Sequence, residues 1–176
     1  MSSSSKDGFT FAECLLALII LGVALSPLLL CFPTGAKQGR LSKKMSVATD
    51  LAQDLMDEIK KMAFEEPGAP DSFGREGGES SPRNDPANVN DFDDVDDYDS
   101  WKIENPPEDM DGNLFDGTGG RPDYQGFTRT VEVINVAESD LNTPVAPGST
   151  DFKRVKVTVS EADIPNVELF TVITKY

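Results

Sequence analysis

The chain has 176 residues, enough for one domain with a hydrophobic core, and its 31 acidic and 16 basic residues give a net charge of -15. This balance excludes nucleic acid as a partner, because phosphate binding requires a basic surface that displaces counterions. The chain has no histidine and only two cysteines. Catalytic triads that use histidine, histidine-ligated zinc and four-thiolate metal sites are therefore excluded as well.

Near the N-terminus, residues 14–33 form twenty consecutive positions without a charge. A helix of that length rises roughly 30 Å, the thickness of the hydrocarbon core of a bilayer. We expect a transmembrane helix here, because a buried helix of a small soluble domain rarely lacks a polar face for five turns. The alternatives are a secretory signal cleaved after the small residues 34–36 and a lipoprotein signal that ends at Cys31.

Glu13 stands at the edge of this apolar stretch and is preceded by Phe9, Phe11 and Ala12. A carboxylate placed in lipid costs about 2.5 to 3.5 kcal/mol on insertion scales and usually has a partner. No basic residue of the chain is positioned to pair with Glu13 inside a membrane. We therefore expect its partner to come from another molecule.

The run Lys6-Asp-Gly-Phe-Thr-Phe-Ala-Glu13, followed by an apolar helix, resembles the prepilin leader of type IV pilins and type II secretion pseudopilins. The resemblance covers about thirty residues, and the Gly-Phe-Thr-x-x-Glu spacing ahead of a membrane helix is specific. It implies cleavage after Gly8 by a prepilin peptidase and methylation of the new N-terminus at Phe9. It also implies that Glu13 neutralises the terminal amine of a neighbouring subunit.

The same resemblance implies the location and the partners of the protein. The chain would be a single-pass protein of the bacterial inner membrane with a periplasmic globular domain, and would later enter a pilus or pseudopilus. Its partners would be other pilin or pseudopilin subunits, the prepilin peptidase, the membrane and the inner-membrane assembly platform. The apolar pattern after Glu13 is most similar to that of minor pilins and minor pseudopilins, which prime assembly or form the filament tip.

Beyond the apolar stretch, apolar residues recur at spacings of three and four and predict an amphipathic helix that ends at Pro67-Gly68. A Pro33-Thr-Gly35 interruption, followed by Gly39, predicts a flexible section before this helix. The apolar stripe, which we expect to be core, consists of Leu41, Met45, Ala48, Leu51, Ala52, Leu55, Ile59 and Met62.

The C-terminal third predicts a three-stranded antiparallel meander over 127–136, 152–159 and 167–174, with turns at 142–148 and 164–166. The predicted fold class is α+β: a long N-terminal helix, half membrane-spanning and half amphipathic, packed on a small antiparallel sheet, with a long acidic irregular insertion. The predicted organisation is a leader (1–8), a transmembrane and assembly helix (9–36), an amphipathic helix (37–64), an acidic loop region (65–125) and the sheet (126–176).

The acidic loop region holds four basic and eighteen acidic residues, so a net charge of -14 lies in this one segment. One hypothesis is a solvated acidic loop, and the other is a segment ordered by calcium, which prefers carboxylate and carbonyl oxygens. Within 91–101, aromatic and apolar residues at a spacing of three predict that this stretch docks by its apolar side with its acids outward. The candidate calcium ligands are Asp93, Asp94, Asp96, Asp97, Asp99, Asp109, Asp111, Asn113 and Asp116.

These observations predict a structural, non-enzymatic role: a pilin-like subunit of a type IV pilus or type II secretion pseudopilus that is packed into a helical filament. The alternative is a membrane-anchored periplasmic binding module whose acidic region captures calcium or a basic partner. An enzyme would have to rely on carboxylates alone, and acids in a polar Gly/Pro-rich loop are poor candidates for the desolvated pair that such chemistry needs. No cofactor is required by this interpretation, and calcium is the one ion it allows for.

Overall fold

The computed structural model describes residues 8–66, 68, 73–75, 92–101 and 103–175, and the side chains at 28–30 and 32 lie outside this description. The predicted leader up to Asp7, the predicted helix stop at Pro67 and much of the predicted acidic loop region, including Asp91, also lie outside it. The chain forms two compact units, Met1–Lys43 and Lys44–Tyr176.

A single helix, α1, runs over Phe11–Ile59 and so contributes to both units. Pro27 and Pro33 lie inside it, and the predicted interruption at 33–39 is wrong because these residues are helical. The predicted end at Pro67-Gly68 is also wrong. The helix stops at Ile59, where a turn leads the chain towards an isolated bridge between Ala63 and Asp94.

The predicted fold class and the predicted inner-membrane location are corrected by one finding. Within α1, side chains are described over two stretches, 11–27 and 33–59, and at Cys31, and neither stretch is the long, half membrane-spanning helix that the sequence predicted. Across the described part of the chain, no helix combines the length and the apolar character needed to cross a bilayer. The structure therefore does not support the membrane-spanning half of the predicted long helix or a single-pass location.

In the second unit, the last turns of α1 bury one side of the helix. The buried residues follow the helical spacing of three and four that places side chains on a common face. They are Ala48, Leu51, Ala52, Leu55, Met56 and Ile59. The apolar stripe is thus confirmed as core between residues 48 and 59, whereas Met45 is exposed and Met62 lies beyond the end of the helix.

The sheet has four antiparallel strands, one more than predicted: β1 (Thr128–Ala137), β2 (Asp140–Pro144), β3 (Phe152–Glu161) and β4 (Ile164–Thr174). Their order is β2-β1-β3-β4, and β3 pairs with both β1 and β4. The additional strand β2 occupies part of the predicted turn 142–148 and is exposed throughout. The predicted turn at 164–166 is wrong, because these residues are the first three of β4.

Strand β3 shows why the sheet forms. Alternate residues point to opposite faces of a strand, and Lys153, Val155, Val157 and Val159 are buried whereas the residues between them are half-buried. The buried valines contribute to a core that also contains Val133 and Val136 of β1. β-branched side chains suit this arrangement because they pack well on a pleated surface.

Candidate functional site

The residues of the predicted processing motif lie immediately before α1. Gly8 and Phe9 are exposed in non-helical backbone, and Phe11 is the first helical residue. The exposed fraction of Phe9 is 84%. A side chain built at Gly8 would meet nothing within 4 Å, so the surroundings do not require a glycine at this position. The motif is thus accessible in the described part of the chain.

Glu13 and Thr10 form a reciprocal cap at the start of α1. The backbone N–H of Thr10 donates to Glu13 Oε2 at 2.8 Å, its hydroxyl donates to the same oxygen at 2.7 Å, and the N–H of Glu13 donates to Thr10 Oγ1 at 3.3 Å. This is a capping box, which satisfies amide groups that the first helical turn leaves without intrahelical partners. The hydrogen bonds from Thr10 hold the pKa of Glu13 below its ordinary value.

The capping box is a role of Glu13 that the sequence interpretation missed, although Thr-x-x-Glu before an apolar run is its signature. The carboxylate is exposed, so it remains accessible to a second molecule. Pairing of Glu13 with another subunit stays a prediction.

The first unit exposes large apolar side chains along 15–25. A helix turns by roughly 100° per residue, so these consecutive positions point in all directions around its axis. Their exposed fractions lie between 45% and 72%, and they are Leu15, Leu16, Leu18, Ile19, Ile20, Leu21, Val23 and Leu25. An apolar surface of this extent on an exposed helix marks a region of interaction.

In the second unit, the described residues 92–101 pack tightly. Phe92, Val95, Tyr98 and Trp101 are buried, as their spacing of three predicts. The ring of Phe92 meets those of Tyr98 and Trp101 edge-on at centroid distances of 5.1 and 5.4 Å. The apolar side of the segment therefore docks into the core, as expected.

The prediction that the acids of this segment face outward is wrong for three of them. Among the acids that the structure describes in 92–101, Asp94, Asp96 and Asp97 are buried, Asp99 is half-buried and Asp93 is exposed. A short 3-10 turn over Asp96–Tyr98 directs the carboxylates inward, where they meet backbone N–H groups and a buried lysine. The pattern of apolar residues alone does not reveal these partners.

Asp94 and Asp97 brace the turn by accepting hydrogen bonds from its backbone. Asp94 Oδ1 accepts from the N–H groups of Asp96 and Asp97 at 2.7 and 3.2 Å, and Asp97 Oδ2 accepts from those of Asp93 and Asp94 at 3.0 and 3.1 Å. Burial, followed by the nearby charges of Asp96 and Asp97, raises the pKa of Asp94 to about 8.

Asp96 forms a buried ion pair with Lys153 of β3. The Lys153 ammonium also donates to the backbone carbonyl of Phe64 and lies 4.6 Å from the centroid of the Phe64 ring. The second carboxylate oxygen of Asp96 accepts from the N–H of Gly74 at 2.9 Å. This set of contacts fastens residues 92–101, which we call the acidic segment, to the sheet.

The second acidic cluster, 109–116, also uses its oxygens within the chain. Asp109 Oδ1 accepts from the backbone N–H of Asn113 at 2.8 Å and from that of Asp111 at 3.1 Å. Asp116 Oδ1 accepts from the N–H and hydroxyl of Thr118 at 2.9 and 2.7 Å. These hydrogen bonds hold the pKa of Asp116 below its ordinary value.

Six of the nine candidate calcium ligands thus accept hydrogen bonds from backbone N–H groups or pair with a basic side chain: Asp94, Asp96, Asp97, Asp99, Asp109 and Asp116. Among the residues that the structure describes, no group of three or more acidic or cysteine side chains is placed to hold a metal ion. Asp99 illustrates this arrangement, because its Oδ1 accepts from the N–H of Val133 on β1 at 2.8 Å. Calcium binding remains a hypothesis for solution experiments.

Sequence interpretation also missed the buried cations that compensate the acids. Arg129 of β1 pairs with Glu104, and its guanidinium donates to the backbone carbonyl of Glu108 at 2.6 Å. The side chains of Arg129 and Glu104 are both almost fully buried. The signal available in the sequence was a basic residue at an inward-facing strand position, at Arg129 on β1 and at Lys153 on β3.

A cleft of about 340 Å³ lies next to Arg129, between the last turns of α1 and the segment 108–115. Most of its polar lining is acidic, and Met110 and Phe115 supply the apolar part. Its charged residues are Asp54, Asp57, Glu58, Lys61, Glu108, Asp109 and Arg129.

No family model, no curated protein and no solved structure matches the chain. The class of protein is therefore inferred from the sequence motif and the surfaces of the chain itself.

Proposed function

We propose that the chain is a pilin-like filament subunit, of the kind found in type IV pili and type II secretion pseudopili. The observation that carries this proposal is the apolar surface on 15–25, which surrounds the helix and lies directly after the Gly8-Phe9-Thr-x-x-Glu13 motif. Packing of this stretch against the same stretch of other subunits would remove apolar surface from water, which contributes about 25 cal/mol per Å². A structural role of this kind requires neither a catalytic group nor a cofactor.

The resemblance of residues 6–13 to a prepilin leader supports a defined order of events. A prepilin peptidase cleaves after Gly8, the new N-terminus at Phe9 is methylated, and the subunit then joins the filament. Glu13, four residues beyond Phe9, pairs with the terminal amine of a neighbouring subunit. Minor subunits start or cap such filaments. A second unit that carries a folded acidic segment suits a subunit at the start or tip of a filament better than a subunit repeated uniformly along it.

Mass spectrometry of the chain coexpressed with a prepilin peptidase tests the processing step. We expect a mature chain that begins at methylated Phe9. The variant Gly8→Val should remain uncleaved, and because a Cβ at Gly8 meets no neighbour, its fold should be unchanged. Gly39→Ala, another glycine with open space around it, is the matched control and should be processed normally. A chain that keeps residues 1–8 in the presence of active peptidase contradicts the proposal.

Two variants separate the proposed intermolecular role of Glu13 from its capping role. Glu13→Gln keeps an oxygen that can accept from Thr10 but removes the charge, whereas Thr10→Val keeps the charge and removes the hydroxyl of the cap. We expect incorporation into filaments to be lost in Glu13→Gln and retained in Thr10→Val. Equal loss in both variants would assign Glu13 to helix capping alone and would count against the filament role.

A further inference from the structure

Three basic residues on α1 lack partners among the residues that the structure describes. Lys37, Arg40 and Lys43 recur at a spacing of three, which places neighbouring members on one side of a helix, and all three are exposed. No hydrogen bond or ion pair joins any of them to another described side chain. Lys44, by contrast, pairs with Glu161 and Asp163 at 2.7 and 2.5 Å. We call Lys37, Arg40 and Lys43 the basic stripe.

The cleft beside Arg129 has the opposite charge. Its lining contains five carboxylates and two cations, and the guanidinium of one of these cations, Arg129, is already paired with the buried Glu104. Asp54 and Asp57 stand exposed at its rim on α1. Met110 and Phe115 add apolar surface against which the alkyl stem of a lysine or arginine can pack. The cleft therefore suits long basic side chains.

The total charge of the chain makes this local complementarity informative. Two copies that each carry -15 repel one another overall, so close association needs a surface where unlike charges meet. The basic stripe lies in the stretch 37–64, whose six basic and four acidic residues give a local charge of +2. The cleft collects acids from α1 and from the segment 108–115. A second copy of the chain is thus an occupant whose charge pattern fits.

We propose that the basic stripe of one copy docks into the acidic cleft of a second copy. This inference rests on the proposed filament function and names a contact between its subunits. The two surfaces are different patches of the chain, so the contact is heterologous: a pair of copies leaves one stripe and one cleft for further copies. Such a contact repeats along an assembly and sets the order of the subunits, whereas the apolar surface on 15–25 supplies non-directional attraction.

Reciprocal charge reversal tests the docking. The first variant reverses the stripe (Lys37→Glu, Arg40→Glu and Lys43→Glu), and the second reverses the rim of the cleft (Asp54→Lys and Asp57→Lys). All five positions are exposed, so both variants should fold. Each variant alone places like charges in the contact. A mixture of the two places unlike charges in every contact between different variants, and association should be restored only there.

The readout is carbodiimide crosslinking of full-length chains mixed from ¹⁴N- and ¹⁵N-labelled preparations. This reagent joins amines to carboxylates in contact, and mixed-isotope peptides identify links between copies. We expect links from Lys37 or Lys43 to Asp54 or Asp57 in the native chain. Either variant alone lacks the amines or the carboxylates of these links, so its association is measured by sedimentation velocity, where we expect a loss of roughly tenfold. In the mixture, links should appear between the introduced glutamates and lysines. High salt should weaken all of them, since the Debye length falls to about 3 Å at 1 M.

The outcomes separate this inference from the proposed function. Filaments with methylated Phe9 that form equally well from the stripe-reversed variant would overturn the docking and leave the function standing. Mixed-isotope links at these positions in a chain that is never processed at Gly8 would support the docking and reject the function. Absence of links from the native chain, or association of both single variants as strong as that of the native chain, overturns the docking.

Discussion

Lys153 of β3 forms a buried ion pair with Asp96, 57 residues earlier in the chain, with only 4% and 1% of the two side chains exposed. The pair joins β3, an inner strand of the sheet, to the acidic segment. Its partners lie on elements that are distant in sequence, so it forms only when the segment has folded onto the sheet.

Removing the lysine should destabilise the protein strongly. Lys153→Met leaves the Asp96 carboxylate buried without its cation, and breaking such a pair costs about 3–5 kcal/mol. Urea unfolding of the full chain, followed by circular dichroism, measures the loss. The double variant Lys153→Met/Asp96→Leu removes both charges and should recover most of the stability. A double variant as unstable as the single one would show that the charge imbalance is not the cause.

Stability should fall as the pH rises from 5 to 8.5. Asp94 has a folded-state pKa of about 8, above its ordinary value near 3.8, so the folded state binds this proton more tightly than the unfolded state. Its contribution is complete below about pH 4 and is lost as the pH rises through 8. The chain has no histidine, so no imidazole titrates in this range. The free energy of unfolding in urea, measured at half-unit intervals, should therefore decline across the window.

Asp94→Asn is the control for that pH dependence. Its amide oxygen can still accept from the N–H groups of Asp96 and Asp97, but it carries no titrating proton. The variant should show a flat profile between pH 5 and 8.5 and should be more stable than the native chain at the upper end. An unchanged slope in Asp94→Asn would assign the pH dependence to another group.

The hydroxyl of Tyr98 should stabilise the join between α1 and the acidic segment. It donates to Glu58 Oε1 at 2.8 Å, and both residues are buried. Tyr98→Phe should cost about 1.5–3 kcal/mol, the range for a hydrogen bond to a charged group. Tyr124→Phe is the matched control: the Tyr124 ring packs against Phe115 and Phe127, and its hydroxyl has no hydrogen bond to a described residue. That variant should be nearly neutral in the same urea titration.

Calcium should leave thermal stability unchanged. The candidate ligands Asp94, Asp96 and Asp109 already accept hydrogen bonds from backbone amides or pair with Lys153, and a bound ion would have to displace these donors. A ligand at one hundred times its dissociation constant adds about 2.7 kcal/mol, which would raise the melting temperature by several degrees. Differential scanning calorimetry with 1 mM calcium and with chelator provides the comparison. A calcium-dependent rise would restore the hypothesis of an ion-ordered segment.

Local patterns were sufficient where a side chain's environment follows from its own element. The spacing of Leu51, Leu55 and Ile59 predicted a buried face of α1, and the alternation of Val155 with Val157 predicted an inward face of β3. Local patterns gave the wrong prediction where residues typical of breaks and turns lie within a helix or a strand of the folded chain. Pro33 and Gly35 suggested an interruption that α1 does not have, and β2 formed in a stretch whose Asn and Pro residues suggested only a turn.

The location of the charge, the helical and strand periods and the predicted processing motif around Gly8 can all be read from the sequence alone, because each depends on neighbours along the chain. The partners of the buried acidic residues, by contrast, depend on how the chain folds. Asp96 and Glu104 turn inward because Lys153 and Arg129, on strands formed much later in the sequence, offer buried cations. A buried carboxylate needs a cation or hydrogen-bond donors as partners, and which residue supplies them is a property of the fold.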